Sequence, residues 1–170
     1  MIKGKMTRKS VEEAFNGESQ AHMKYLIFAD RAEKEGHKNV ATLFRGIAYA
    51  EFVHARNHFK ALENVSTTEN NLQIAFDGET FEIEEMYPVY NNTAVFQGEK
   101  EAERSINYAL ETEKIHADLY DQAQNRVSAG KDMELEKVYV CPVCGYTALN
   151  EVDPCCPVCG VPREKFVVFP

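Results

Sequence analysis

The sequence predicts a mainly α-helical protein, a four-helix bundle followed by a small four-cysteine metal domain. Three observations carry that expectation. The tetrads Glu51-Phe52-Val53-His54 and Glu113-Lys114-Ile115-His116 lie in apolar stripes of helical period, the two halves of the helical region repeat each other, and two Cys-Pro-Val-Cys-Gly segments lie near the end of the chain. In each tetrad a carboxylate and an imidazole stand at i and i+3, one turn apart on one helix face. The first stripe holds Val40, Leu43, Phe44, Ile47, Ala61 and Leu62, and the second Ile106, Ala109, Leu110, Ala117 and Tyr120. Both pairs are therefore expected to face inward. A buried carboxylate is costly unless a cation or strong donor meets it. One such pair would fit a surface ion pair; two in matching stripes fit a bundle that holds two metal ions.

Composition narrows the function classes. At 170 residues the chain has room for one ordinary domain and a small one beside it. A formal charge of -8 argues against nucleic acid or an anionic membrane as partner. No long uncharged apolar run occurs, and polar residues 1–9 lead straight into a helical pattern, so neither a membrane span nor a signal peptide is expected. All five cysteines fall between 141 and 159 in a Cys-x-x-Cys pattern, which points to metal rather than disulfides and to the reducing cytoplasm.

Taken in order, Ser10-Val11-Glu12-Glu13 reads as a capping box. The first helix, about 8–35, carries an inner stripe of Val11, Ala14, Phe15, Glu18, His22, Tyr25, Ala29 and Ala32, and Gly36 is placed to end it. Further helices are expected over about 39–64, 71–96 and 99–129, with Pro88 kinking the third. The helical domain is assigned to residues 1–135 and the tail to 136–170.

The repeat assigns roles. Ala14-Phe15-Asn16-Gly17-Glu18 matches Ala75-Phe76-Asp77-Gly78-Glu79 at an offset of 61, whereas Tyr25 and Tyr87, Gly36 and Gly98, Glu51 and Glu113, and His54 and His116 match at 62. The extra residue falls between Glu79 and Tyr87, where a π-bulge would absorb it. Glu18 and Glu79 precede their tetrads by 33 and 34 residues, giving each half a terminal carboxylate, a bridging carboxylate and a histidine. Such a set suits iron or manganese. Glu82 breaks the symmetry, since Ala21 stands at its repeat position. Five carboxylates then face two metals, which favours the oxidised pair and makes an empty site costly.

Gly17-Glu18-Ser19-Gln20-Ala21, the two tetrads and Gly78-Glu79-x-x-Glu82-x-x-Glu85-Met86-Tyr87-Pro88 closely resemble rubrerythrin, over essentially the whole chain. The resemblance implies a ferritin-like bundle with a di-iron site whose ligands are Glu18, Glu51, Glu79, Glu82, Glu113 and His116. It implies that one iron leaves Glu82 for His54 on reduction, and that Tyr25 and Tyr87 hydrogen-bond ligand carboxylates. Glu85 has ligand spacing but matches no ligand of the family. His22 and His58 are expected near the ligands without binding metal, and His37 on the surface.

In the tail, Cys141-Pro142-Val143-Cys144-Gly145 and Cys156-Pro157-Val158-Cys159-Gly160 are two knuckles of one four-cysteine site, which by geometry takes zinc or a single iron. Tyr139, Tyr146 and Phe166 around them resemble rubredoxin, which implies one redox-active iron. Pro157 and Gly160 set the frame to Cys156 and Cys159, leaving Cys155 a bystander. The resemblance as a whole implies a hydrogen peroxide reductase that protects against oxidative stress. Electrons would pass through the tail iron to the di-iron site, ultimately from NADH or NADPH through an external rubredoxin and its reductase. No glycine-rich nucleotide fingerprint is present. The alternative is an iron-binding or storage protein with ferroxidase activity, which has no need of the tail.

The connection between the second and third helices departs from the family. In a ferritin-like bundle these helices run parallel, so the chain must return roughly 27 Å along the bundle and step about 8–10 Å sideways. Residues 65–70 span at most about 20–22 Å. Two arrangements meet that shortfall: an intertwined homodimer, the first hairpin of one chain packing on the second hairpin of its partner, or a single-chain bundle in which both helix ends fray by a turn.

Overall fold

The computed structural model describes residues 2–170. It divides into two compact units, one ending at Ser66 and the other running from Thr67 to Pro170.

The first unit is a helical hairpin of α1 (Lys5–Lys34) and α2 (Lys38–Ala61). Gly36, at φ +88°, makes the turn. Its N–H donates to the Glu33 carbonyl at 3.0 Å and that of His37 to Ala32 at 2.8 Å, so the last carbonyls of α1 are satisfied. The seam consists of small residues. Ala41, Ala48, Ala55 and Leu62 recur every seven positions along α2 and are buried, with Ala29 and Ala32 on α1. Methyl side chains let two backbones approach closely, and Arg45 ties the helices by pairing with Glu33 and Asp30.

Two expectations are corrected in this hairpin. The capping box at Ser10 is not used: Gly4 is the N-cap, and the Ser10 hydroxyl donates back to the Met6 carbonyl at 2.9 Å inside the helix. Nothing in residues 5–9 breaks a helix, so the turn before Ser10 stays helical and its side chain bonds the i−4 carbonyl. Of the large members of the second helix's stripe, Leu62 is buried and Phe44 packs on the alanine seam, but Leu43 is 61% exposed and Val40 and Ile47 are also exposed. Close approach at the alanine seam pushes bulky side chains to its flanks. Ile27 and Phe28 of α1 join them.

The second unit holds the other hairpin and the tail. Thr67 caps α3 (Thr68–Phe81), its hydroxyl accepting from the Asn70 N–H at 3.3 Å. A five-residue π-helical segment, Glu82–Met86, leads into α4 (Tyr87–Gln97). The Tyr87 N–H reaches the Glu82 carbonyl, five residues back. The segment absorbs the one-residue change in repeat offset and sets Pro88 in the first turn of α4, where its missing N–H is tolerated. Gly98 closes α4 at φ +73°, as Gly36 closes α1, and α5 (Lys100–Ser128) follows. Ile74 and Phe81 of α3 and Phe96 of α4 remain exposed.

The tail is a three-stranded antiparallel sheet in the order β2-β1-β3, with β1 Val138–Val140, β2 Thr147–Leu149 and β3 Val167–Phe169. Its core is Cys141, Cys144, Cys156 and Phe166, with Tyr139, Tyr146 and Val161 packed around them and Tyr108 contributed by α5. Among the described residues no helix is long and apolar enough to cross a membrane.

Ala48 is fully buried in the seam. Ala48→Leu is expected to force the hairpin apart and cost about 1–3 kcal/mol, read as a lower urea midpoint than that of the parent chain.

Candidate metal centres

Three groups of metal-binding side chains converge among the described residues. Glu18, Glu51 and His54 form one, Glu79, Glu113 and His116 a second, and Cys141, Cys144, Cys156 and Cys159 the third, with donor atoms in each within 4.8 Å of one another.

The first triad joins α1 to α2. His54 Nδ1 lies 3.1 Å from Glu51 Oε2 and 3.8 Å from Glu18 Oε1. Glu18 and Glu51 share a hydrogen bond, which two carboxyl groups make only with a proton between them. That sharing, then burial, raises the pKa of Glu18, and it lowers that of Glu51, which His54 also favours as the anion. His58 stands near enough to lower the Glu18 pKa in its turn. His22 serves the scaffold, since its Nδ1 donates to the Ala48 carbonyl at 2.7 Å and cross-links the hairpin. The bonded partner lies 26 positions away, so no local pattern announces it.

The second triad joins α3 to α5. His116 Nδ1 is 2.6 Å from Glu113 Oε2. Burial first, then the Glu113 charge, pushes the Glu79 carboxyl up to about 7. Glu82, at the start of the π segment, is raised by burial and by the Glu113 charge, although it is not one of the three converging groups. Tyr87 is raised by burial and by the charges of Glu82, Glu113 and Glu79, which places its phenol beside all three carboxylates. Tyr25 packs its ring on Phe28 and Phe44. His116 has one more partner that the sequence does not reveal: its Nε2 lies 3.0 Å from Thr147 Oγ1 in β2.

The cysteine site has the near-twofold form of two matching knuckles. Gly145 and Gly160, at φ +85° and +76°, return N–H bonds to the Cys141 and Cys156 carbonyls at 3.0 and 2.9 Å. The Cys141 and Cys156 N–H groups bond Tyr146 and Val161, both at 2.8 Å. Sulfur separations of 3.5 Å for Cys141–Cys159 and 3.4 Å for Cys144–Cys156 approach the edge of about 3.8 Å that tetrahedral thiolates at about 2.3 Å from a metal require. Backbone N–H groups of Val143 and Cys144 point at Cys141 sulfur, that of Tyr146 at Cys144, and that of Val161 at Cys159, each favouring the thiolate. Burial raises the Cys144 thiol, a cost that a bound cation removes. Cys155 is exposed and outside the set.

The donor sets therefore fit metals: oxygen-rich triads with one imidazole each, and a soft four-sulfur cage. Residues 9–124 match the family model described as rubrerythrin, and residues 139–167 the one described as the rubredoxin-like domain of rubrerythrin. The chain belongs to the rubrerythrin family. Rubrerythrin-2 of Clostridium acetobutylicum is 46% identical to it, with 99% of each chain covered. The rubrerythrin of Porphyromonas gingivalis is 33% identical over 97% of this chain and 90% of its own. A solved structure of nigerythrin in its fully reduced, all-ferrous state aligns with a TM-score of 0.58 at 28% identity, covering 99% of this chain and 89% of that one. Rubrerythrins and nigerythrins are di-iron oxidoreductases of oxidative stress, so the cofactors are two irons in the helical domain and one in the four-cysteine site.

The raised Glu79 makes a pH test. In the metal-free chain the folded state holds a proton on Glu79 up to about pH 7, against an ordinary value of 4.5. Between those values the native state binds more protons than the unfolded one, so stability falls as pH rises through the window. Thermal melts of metal-free protein are expected to show that decline, and Glu79→Gln to flatten it. Added ferrous iron should stabilise more as pH rises, because it displaces the proton.

Proposed function

We propose that the protein is a non-haem di-iron hydrogen peroxide reductase. Two irons would be held by Glu18, Glu51, Glu79, Glu82, Glu113 and His116, with His54 as the alternative ligand to Glu82 in the reduced state. The observation that carries this reading is the presence, in one chain, of two carboxylate-rich triads and a four-cysteine site. A storage role needs only the first kind. Peroxide takes up two electrons and two protons to become two waters, and bound iron supplies one-electron steps at each site. The domain boundary falls between residues 135 and 136, and each part has its own task.

The chain's own groups account for binding and proton control. Glu51 and Glu113 would bridge the pair, Glu18 and Glu79 would cap it, and the carboxylate charge would stabilise the ferric state. Tyr87, its pKa raised by burial and by three carboxylates, stays a protonated donor beside them. Cys141, Cys144, Cys156 and Cys159 would hold a single iron able to supply electrons to the pair one at a time. An external rubredoxin and its NAD(P)H-dependent reductase are the proposed donors, and the cytoplasm, where thiols stay reduced, the proposed location.

The active form is an intertwined homodimer. Helix α2 ends at Ala61, seven residues past His54, and α3 begins at Thr68, eleven before Glu79. Bringing both triads to one level along a parallel pair needs a return of roughly 27 Å, beyond the span of about 20–22 Å open to the six residues 62–67. Each triad alone offers two carboxylates and one imidazole, half of what a two-iron centre takes. The exposed Ile27, Leu43, Ile74 and Phe96 supply the apolar surface that a second copy would cover.

Two experiments test the reading. Protein loaded with ferrous iron and reduced without air should be oxidised far faster by hydrogen peroxide than by oxygen; preference for oxygen with accumulating ferric mineral would establish storage instead. For the dimer, Glu51→Ala and Glu113→Ala chains, each expected to be inactive alone, should recover about half of the parent activity in a purified heterodimer, because exchange of hairpins leaves one of two sites with all its ligands. Sites built within single chains would leave that heterodimer inactive.

A further inference from the structure

One face of α5 carries the tail. Tyr108, Thr112 and His116 follow at four-residue spacing, so they stack along one side of the helix. Tyr108 packs on the cysteine core. Thr112 Oγ1 lies 3.7 Å from where a Cβ on Gly145 would stand, which brings the first knuckle onto the helix. His116 Nε2 meets Thr147 Oγ1 at 3.0 Å. Thr112 does not compete for that contact, since its hydroxyl is directed to the Tyr108 and Ala109 carbonyls at 3.1 and 2.9 Å.

The proton positions follow from the partners. Thr147 Oγ1 also lies 3.0 Å from the Gly145 carbonyl, which can only accept. The hydroxyl hydrogen is used there, so Thr147 Oγ1 accepts from His116 Nε2–H. That fixes a proton on Nε2 and aims Nδ1 at Glu113 Oε2, 2.6 Å away, a contact that holds its own proton in the metal-free chain and leaves Nδ1 as a free donor once a cation takes that proton's place. A ligand histidine is oriented by what its other nitrogen meets. Here that group belongs to the metal-binding tail of the same chain. Two hydrogen bonds link the Gly145 carbonyl, next in sequence to Cys144, to the imidazole.

We propose that Thr147 is a positioning residue for the helical metal centre, its hydroxyl locking the His116 tautomer and tying that imidazole to the first cysteine knuckle. The proposal rests on the assignment of His116 as a ligand. It makes the docking of the tail on α5 a condition for the geometry of the triad as well as a route between the two kinds of site.

The test uses full-length protein. With zinc in all sites as a diamagnetic probe, the parent should show a His116 Nε2–H resonance that exchanges slowly with water in proton–nitrogen spectra. Thr147→Ser should keep it and Thr147→Val should lose it; a parent without that resonance, or a valine variant that retains it, overturns the proposal. With iron loaded and reduced without air, one equivalent of hydrogen peroxide should restore the red ferric-thiolate absorption. Thr147→Val should slow that return about 10-fold or more, and Thr147→Ser should bring it to within about threefold of the parent. An unchanged rate in the valine variant overturns the link between the sites. If peroxide leaves even the parent iron protein unoxidised, the peroxide reading fails, and the zinc spectra still decide the role of Thr147. Thr147→Ala replaces the valine variant should the latter not fold.

Discussion

Like charges brought together between helices govern this chain. Glu18 with Glu51, and Glu79 with Glu113, face each other, and the strain shows in a raised pKa for Glu18, through its hydrogen bond with Glu51, and for Glu79, through burial and the Glu113 charge. The same groups that cost stability when ionised become ligands when a cation arrives, so folding and metal loading are linked through one set of oxygens. The helices then have a second duty besides burying apolar surface. They must hold acidic groups at fixed spacing, and the alanine seam of the first hairpin does so by keeping its two backbones close.

Much of this was legible because it repeats. Glu-x-x-His at 33 and 34 residues after Glu18 and Glu79 marks both triads, and Cys-x-x-Cys marks the cage, because metal geometry imposes spacing on sequence. The one-residue change of offset located the π segment, since an inserted residue in a helix has few other places to go. What the sequence hid has two causes. Local rules were overridden where nothing stopped a helix, as before Ser10. Partners far apart in the chain carry no local signature, as with His22 and Ala48 or His116 and Thr147.

The apolar periodicity misled in an instructive way. Val40, Leu43 and Ile47 fall on a helical stripe, and such a stripe ordinarily means core. In the hairpin they are exposed, because the contact between α1 and α2 uses alanines and has no room for them. A stripe too large for the partner helix it has, flanking a metal-binding triad, is the surface that the proposed second copy would cover.

The short connection and the docking of the tail bear on each other. If hairpins exchange between copies, the chain that supplies α3 and α5 also supplies the cysteine site, since Tyr108, Thr112 and His116 carry the tail on the same helix. The hydrogen bond from His116 to Thr147 is then independent of which copy provides Glu18 and Glu51. A six-residue linker that forbids closure within one chain costs the reaction nothing under that arrangement, because the junction between the two kinds of site never crosses between chains.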